Sequence, residues 1–381
     1  SSLYSARRFA DTSSAFSFMD TLITLIFSIF YSGILFGFAL LVTNHFYASE
    51  RFKGKKSDHF DGKHFYNVGW SPRESLQIEW WRERKGGLVY WLLHRNKKKW
   101  IKREITPITP LQKNTEGFHI TNIGHATYLI QAHGLNILTD PVWNNRASPW
   151  SWIGPKRYQD PGIRFEDLPK IDIVLLSHNH YDHMEVPTLQ KLEKRDNPVI
   201  YTWLGNKDYL KKREIFNVVD MDWWDEEKYE WKHKKEKLHV TYLPSQHFSA
   251  RWVTDRNRTL WWGFRIEIGG KSLYFAGDTG YGDFVKKISE KFEGGFDFGL
   301  IPIGAYKPRW FMAPVHTDPF EGMQLQRELN IKKAVGIHHS TFDLADDNQD
   351  DPIEDLLEAK KRKEYAWQIF EVWVAWTTWN W

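Results

Sequence analysis

The chain has 381 residues, 41% of them hydrophobic, and 52 Lys and Arg against 48 Asp and Glu leave a formal net charge of +4. That length suits one large domain or two ordinary ones, and so small a charge, with both signs interspersed, makes no electrostatic case for nucleic acid. There is no cysteine, which excludes disulfides, thiolate metal sites and cysteine nucleophiles, so any metal must be held by His, Asp and Glu.

The first element is "TLITLIFSIFYSGILFGFALLVT", residues 21–43, which is 23 residues without a charge. At about 1.5 Å per residue, a helix of this length crosses a hydrocarbon layer of roughly 30 Å. It exceeds the apolar stretch of a signal peptide, and no small-residue cleavage site clearly follows. The reading is one transmembrane anchor within an N-terminal segment, 1–44. Arg7 and Arg8 precede the span, and Arg51, Lys53, Lys55 and Lys56 follow it. By the positive-inside rule the main domain lies on the cytoplasmic side. Residues 45–115 read as a basic, Trp-containing, membrane-proximal extension. Within it, residues 78–100 suggest a helix or strand between basic turns, and Lys97, Lys98 and Lys99 a solvated face able to touch anionic lipid. The 21 Trp residues fill cores but also favour membrane interfaces.

From residue 116 to 381 the texture becomes short apolar runs with turn signals, as expected of a catalytic α/β domain. "HATYLIQAHGLNILTD" reads as two strands around a Gly turn, "KIDIVLLS" as a buried strand, and "KLHVTYLPS" as another. "TLWWGFRIEIGGKSLYFAGD" is a hairpin around Gly269 and Gly270, and "DFGLIPIG" and "KKAVGIHHS" repeat the theme. "VPTLQKLEKR" and "TDPFEGMQLQRELN" are helical. At the C-terminus, Trp373, Trp376 and Trp379 recur every three residues, which fits either a helix at a membrane surface or a closing strand of the core. Several strands end in a polar residue: Asp140, His178, His247, Asp278 and His338. Ligand sites gather in such loops because a rigid sheet positions them.

The densest of these is "HNHYDH". In an extended segment, residues two apart share a face, so His178 and His180 can reach one ion together. If the chain then turns into a helix, Asp182 and His183 point elsewhere and can serve a second ion. Imidazoles and carboxylates without thiolate suit Zn, and also Mn or Fe. "PSQHF" adds His247, "AGDTG" adds Asp278 in a Gly-flanked turn suited to a bridging carboxylate, and "GIHHSTF" adds His338 and His339. Two cations about 3.5–4 Å apart lower the pKa of a shared water from near 16 to about 7, which makes a nucleophile without serine or cysteine.

HNHYDH is the HxHxDH signature of the metallo-β-lactamase superfamily. "IGHATYLI", "LTDPVWNNRASPW", "GPKRY", "SHNHYDHM", "DWWDEE", "PSQHF", "FAGDTGY", "IPIGAYKPRWFM", "VHTDP" and "IHHSTF" resemble, in that order, the N-acyl-phosphatidylethanolamine-hydrolysing phospholipase D family over residues 60–350. The resemblance implies a four-layer αββα sandwich, preceded here by the transmembrane helix, with two zinc ions at the sheet edge. It assigns His178, His180 and His247 to one ion, Asp182, His183 and His338 to the other, and Asp278 to both. His339 stands where the family has Trp, so the ligand could be either of the pair, with His338 preferred. His316 matches a family histidine near the substrate phosphate, and Tyr181 is a candidate substrate contact. The implied reaction is attack by a metal-activated hydroxide on a phospholipid, N-acyl-phosphatidylethanolamine, giving phosphatidic acid and N-acylethanolamine at a membrane. A homodimer is compatible with this reading. The alternatives are a lactonase or another phosphodiesterase on the same site, or a lipid-binding protein without turnover. "GGKS" lacks the upstream Gly of a P-loop, since Arg265 stands there. No G-x-S-x-G elbow and no HxKxxxxD motif appears.

Overall fold

The computed structural model of the chain describes residues 2–70, 99–231, 237–373 and 377–380, with side chains from residue 21 to residue 379. It divides into two compact units, one of Ser1–Ala48 with Trp252–Thr254, and one of Ser49–Arg251 with Asp255–Trp381.

The first unit is dominated by helix α1 (Ser2–Tyr47). Its stretch Thr21–Tyr47 is long and apolar enough to cross a membrane. Leu25, Phe30, Leu35, Phe38 and Leu41 are all more than half exposed. A helix apolar on all sides has no polar face to turn to water.

The second unit holds two seven-stranded mixed sheets. The first contains β1 (Phe118–Gly124), β2 (Thr127–Ala132), β3 (Leu135–Thr139), β4 (Ile173–Leu175), β5 (Val199–Trp203) and β6 (Val218–Met221). The second contains β7 (Glu226–Tyr229), β8 (Leu238–Leu243), β9 (Gly263–Ile268), β10 (Lys271–Phe275), β11 (Phe296–Pro302), β12 (Ile331–Ile337) and β13 (Ile369–Val372). The last strand, β14 (Thr378–Asn380), returns to the first sheet beside β1. Each sheet starts as antiparallel hairpins and continues as parallel strands.

Between the sheets, Ile120, Ile130 and Leu138 share one core with Val240, Ile266, Phe298 and Val335. β1, β2 and β3 are buried along their whole length, including the polar residues Thr121, Asn122, Gln131 and Asn136. Helices α2 (Val186–Asp196) and α3 (Lys207–Lys211) add Leu189, Leu192, Tyr209 and Leu210 to this core. Helix α4 (Phe284–Lys291) precedes the single turn α5 (Arg309–Met312), followed by α6 (Pro319–Glu328) and α7 (Asp351–Lys360). Phe284 and Ile288 of α4, Met323 and Leu325 of α6 and Leu356 of α7 form a second core with Tyr274 and Ile301 of the second sheet. The result is helix, sheet, sheet, helix. α6 starts on a capping box, in which the Asp318 side chain accepts from the Glu321 amide and Glu321 reaches back to the Asp318 amide, an arrangement that ties down two otherwise unpaired donors.

The expected domain start at residue 116 does not match these contacts. Phe60 and Phe65 are buried in the main core, and each such burial contributes about 1.5–3 kcal/mol. Farther along, Trp100 packs on Tyr158 with ring centres 5.5 Å apart, and Arg103 Nη2 donates to both carboxylate oxygens of Asp350. Residues 45–115 are basic in average composition, but a few buried aromatics decide where they belong. Residues 78–98, with Lys97 and Lys98, lie outside the described residues. The C-terminal Trp pattern is a closing strand: Trp379 pairs with Ile120 in β1 and stacks on Phe298 at 4.9 Å, while Trp373 is buried. Trp376 lies outside the described residues.

His59 links residues 49–70 to the β6–β7 turn. Its Nδ1 is 2.7 Å from Asp58 Oδ1 and its Nε2 is 2.7 Å from Asp222 Oδ1. Burial opposes its protonated form, but Asp222 and Asp58 outweigh burial and hold the pKa above its usual value of 6.5. A raised pKa stabilises the fold fully below the unfolded value, and the gain is lost as pH rises through the folded value. The thermal midpoint of His59→Gln should therefore fall furthest below wild type near pH 5.5, and the gap should narrow above neutrality. A gap independent of pH would mean that the ring acts by packing, on Trp223 with ring centres 4.4 Å apart and on Phe65 at 6.2 Å.

Candidate metal centre

Seven segments converge at one edge of the two sheets, and each leaves the C-terminal end of a strand. The turn after β1 carries His125, and the loop after β3 carries Asp140. The loop after β4 carries His178 to His183, and those after β8 and β10 carry His247 and Asp278. The loop after β11 carries His316, and β12 runs directly into His338. Parallel strand directions in both sheets bring these ends together. Asp140, His125 and His338 have φ of 31°, 58° and 62°. Non-glycine residues in this left-handed region cost of order 1–3 kcal/mol each and persist where surrounding contacts hold them. Gly304 marks how closely the loops are stacked, since a Cβ there would lie 2.0 Å from the His338 carbonyl oxygen.

The side chains form two groups joined by one carboxylate. In the first, His178 Nε2 is 2.8 Å from His180 Nδ1, which is 3.3 Å from His247 Nε2. In the second, Asp182 Oδ2 lies 3.3 Å from His183 Nε2 and 3.2 Å from His338 Nε2. Asp278 Oδ2 reaches both groups, at 3.2 Å from His183, 3.0 Å from His338, 3.7 Å from His178 and 3.8 Å from His247. His178 and His180 fall in the first group and Asp182 and His183 in the second, while the ligand atoms of His178, His183 and Asp278 also lie within 4.8 Å of one another. The turn at residues 181–183 separates the two pairs before α2 begins.

His183 Nε2 and Asp278 Oδ1 are buried and form no hydrogen bond. Buried polar atoms without partners are rare, and here they face a ring of nitrogen and oxygen donors whose ligand atoms lie within 4.8 Å of one another in each group. Such a donor set fits borderline divalent cations. Burial pushes the His180 and His247 pKa values down to about 3, and that of His178 well down, leaving the neutral imidazoles that metal binding needs. Burial also opposes ionisation of Asp278 and Asp182, but the neighbouring histidines outweigh it, so both carboxylates stay far below their usual range. His183 and His338 go the other way: Asp278 and Asp182 overcome burial and hold His338 up at about 9 and His183 well above 6.5. These are protons that a cation would displace.

The remaining predicted residues also have definite places. His338 faces the cluster, whereas His339 turns away, with Nδ1 2.9 Å from Ser340 Oγ and Nε2 3.2 Å from the Gly336 carbonyl. His316 borders both groups. Its Nδ1 is 4.0 Å from Asp278 Oδ2, and its ring centre is 5.1 Å from that of His247 and 5.3 Å from that of His338. Its carbonyl accepts from Arg309 Nη1 at 2.8 Å. The Tyr181 hydroxyl donates to the Arg251 carbonyl at 3.0 Å, and the Arg251 guanidinium lies 4.0 Å above the Tyr181 ring.

Several supporting residues were not assigned from sequence. Asp140 Oδ2 is 2.7 Å from His183 Nδ1 and accepts from Ser177 Oγ at 2.6 Å, and the same hydroxyl is 2.9 Å from His178 Nδ1. His247 Nδ1 is 2.8 Å from the Val315 carbonyl. Asn67 Oδ1 accepts from the His247 amide and from Trp261 Nε1, which ties residues 49–70 to the centre. Arg251 donates to the carbonyls of Asn179 and Met184, clamping the HNHYDH loop. Most distinctive is His125, buried with Nε2 3.0 Å from Asp182 Oδ2. The only signal for it was the polar residue inside the apolar "IGHATYLI".

A family profile described as a β-lactamase superfamily domain matches residues 135–339. The chain belongs to the metallo-β-lactamase superfamily and is a hydrolase of that fold. It is 36% identical over 257 residues to N-acyl-phosphatidylethanolamine-hydrolyzing phospholipase D 1 of Caenorhabditis elegans, covering 64% of this chain and 71% of that protein. It is 33% identical over 238 residues to the mitochondrial N-acyl-phosphatidylethanolamine-hydrolyzing phospholipase D of Saccharomyces cerevisiae, spanning 62% of this chain and 50% of the yeast protein. Among solved structures, an isothiocyanate hydrolase from Delia radicum gut bacteria shares the fold, with a TM-score of 0.54 at 18% identity over 69% of this chain and 99% of that one.

Residues that orient metal ligands typically alter metal affinity by 10- to 100-fold when removed. His125→Ala should therefore weaken metal binding by about that factor in a chelator competition, with circular dichroism unchanged. Full affinity in the variant would show that Asp182 needs no holding by His125.

Proposed function

We propose that the chain is a zinc-dependent phosphodiesterase that cleaves N-acyl-phosphatidylethanolamine to phosphatidic acid and N-acylethanolamine. The observation that carries this reading is Asp278 Oδ2, placed between the His178–His180–His247 and Asp182–His183–His338 groups, in a chain whose relatives bear that enzyme's name. His178, His180 and His247 would hold one ion and Asp182, His183 and His338 a second, with Asp278 shared.

When bound, two such cations supply Lewis acidity toward a phosphoryl oxygen and a nucleophilic water at neutral pH. The protein's own part is positional and electrostatic. Asp140, Ser177 and the Val315 carbonyl fix the imidazole orientations. Burial keeps competing water out of the cluster and strengthens each charge interaction inside it. His316 stands beside Asp278 with its Nδ1 unpartnered, and it is the group we assign to a phosphate oxygen as charge develops there. Tyr181 would border the substrate through its ring. α1 would anchor the protein at the membrane that contains the lipid, with the catalytic unit on the cytoplasmic side.

Attack at phosphorus with loss of the N-acylethanolamine alkoxide has an isotopic signature. In heavy-oxygen water the phosphatidic acid should carry the label and the N-acylethanolamine should not. Labelled alcohol, diacylglycerol or free fatty acid as the product would overturn the reaction and point to another hydrolase on this fold. His316→Ala should retain its metal and lose on the order of 100- to 1,000-fold in kcat, the usual cost of one donor to a developing oxyanion. An unchanged kcat, or a lost ion, would contradict the role.

A further inference from the structure

The cluster is buried on most sides, but His180 and Phe248 at its rim are partly exposed. The Phe248 ring centre lies 4.5 Å from that of His180 and 4.9 Å from that of His247. On this ring rests the Arg256 guanidinium, 4.0 Å from the centroid. Arg256 makes no hydrogen bond or ion pair with any described residue, and its Nε is buried. Burial pushes its pKa down to about 10, and no carboxylate counters that effect.

Two buried arginines near the centre differ from the half-buried Arg256. Arg251 donates to the Asn179 and Met184 carbonyls, and Arg157 donates to the carbonyls of Asn144, Val142 and Gln159. Both are structural clamps whose terminal nitrogens donate to loop carbonyls, although Arg251 Nε, like Arg256 Nε, has no hydrogen-bond partner among the described residues. Arg256 keeps a five-donor planar fork with no acceptor, steadied only by the aromatic face beneath it. Such a fork matches two oxygens of a tetrahedral phosphate.

We propose that Arg256 is an anion-binding subsite at the mouth of the centre, taking the oxygens of a phosphate or phosphodiester group while Phe248 holds the guanidinium in place. The proposal rests on the metallo-hydrolase reading of the neighbouring cluster, and it deepens that reading by naming the residue that selects an anionic substrate. Two sources share this chemistry, the phosphodiester of a lipid head group and free inorganic phosphate.

The test uses the full chain, zinc-loaded, in detergent. Phenylglyoxal, which modifies arginine, should label Arg256, and inorganic phosphate should slow that labelling, read by peptide mass. Absence of labelling, or labelling that phosphate does not slow, overturns the subsite without recourse to any variant. Arg256→Met keeps an apolar chain over Phe248 and removes the charge. It should raise the Kd for inorganic phosphate about ten-fold, as expected for a charge-assisted hydrogen bond, while Arg256→Lys, which keeps the charge but loses the planar fork, should recover only part of that loss. Equal affinity in wild type and Arg256→Met, or a Lys variant as weak as Met, also overturns it. A parallel rise in KM on N-acyl-phosphatidylethanolamine micelles, with kcat within about two-fold, assigns the subsite to the lipid phosphodiester. A change in phosphate affinity alone assigns it to free phosphate. If wild type turns over no lipid yet binds phosphate through Arg256, the lipid reading fails and the subsite stands.

Discussion

The structure depends on burying three carboxylates among seven histidines at the meeting edge of two sheets. Isolated charges in a protein interior are strongly unfavourable, and Asp140 and Asp278 are almost fully buried. The chain manages this by giving each carboxylate imidazole neighbours. Asp140 takes Ser177 and His183, Asp182 takes His125, His183 and His338, and Asp278 is ringed by five histidines. What remains, an Asp278 Oδ1 without a hydrogen-bond partner among the described residues, is a feature a bound cation would satisfy.

This constraint explains much of the scaffold. A cluster so tight needs loops of fixed shape, and the strained residues Asp140, His125 and His338 all lie within it. Their conformations are held by neighbours rather than by local preference. His125 is pinned through its amide to Thr341 Oγ1 and through its carbonyl to the His338 amide. Even the segment before the first strand contributes, because Asn67 grips the His247 backbone while Phe60 and Phe65 sit in the core between the sheets. The site and the core are therefore one folding unit.

The two ends of the functional reading come from different parts of the chain. The centre supplies hydrolytic chemistry, and α1 supplies an exposed apolar stretch, Thr21–Tyr47, long enough to cross a membrane. At the centre's rim, three arginines show how the same side chain takes different roles. Arg157 and Arg251 use their forks to hold loops together, and Arg256 leaves its fork open over Phe248. Hydrogen-bonding context, not residue type, separates a clamp from a binding group.

The candidate metal-ligating residues were legible in the sequence because HNHYDH places four donors in six positions, and because His247, Asp278 and His338 each follow an apolar run that reads as a buried strand. The alternation of short strands with the helical stretches α2 and α6 made the layered α/β class legible for the same local reason. The sequence alone also determined the apolar span after residue 20. Other features depended on contacts between residues far apart in the chain. His125 is 57 positions from the aspartate it touches, and Asn67 is 180 from His247. His338 and His339 are adjacent and chemically identical, and only the left-handed backbone at His338 turns one inward and the other out. The C-terminal Trp residues fitted a helix face or a strand equally well until Trp379 met β1 and Phe298. Local pattern determines which residues lie on a strand or in a turn; which strand ends meet, and so which side chains share one buried charge cluster, is decided by long-range packing of the two sheets.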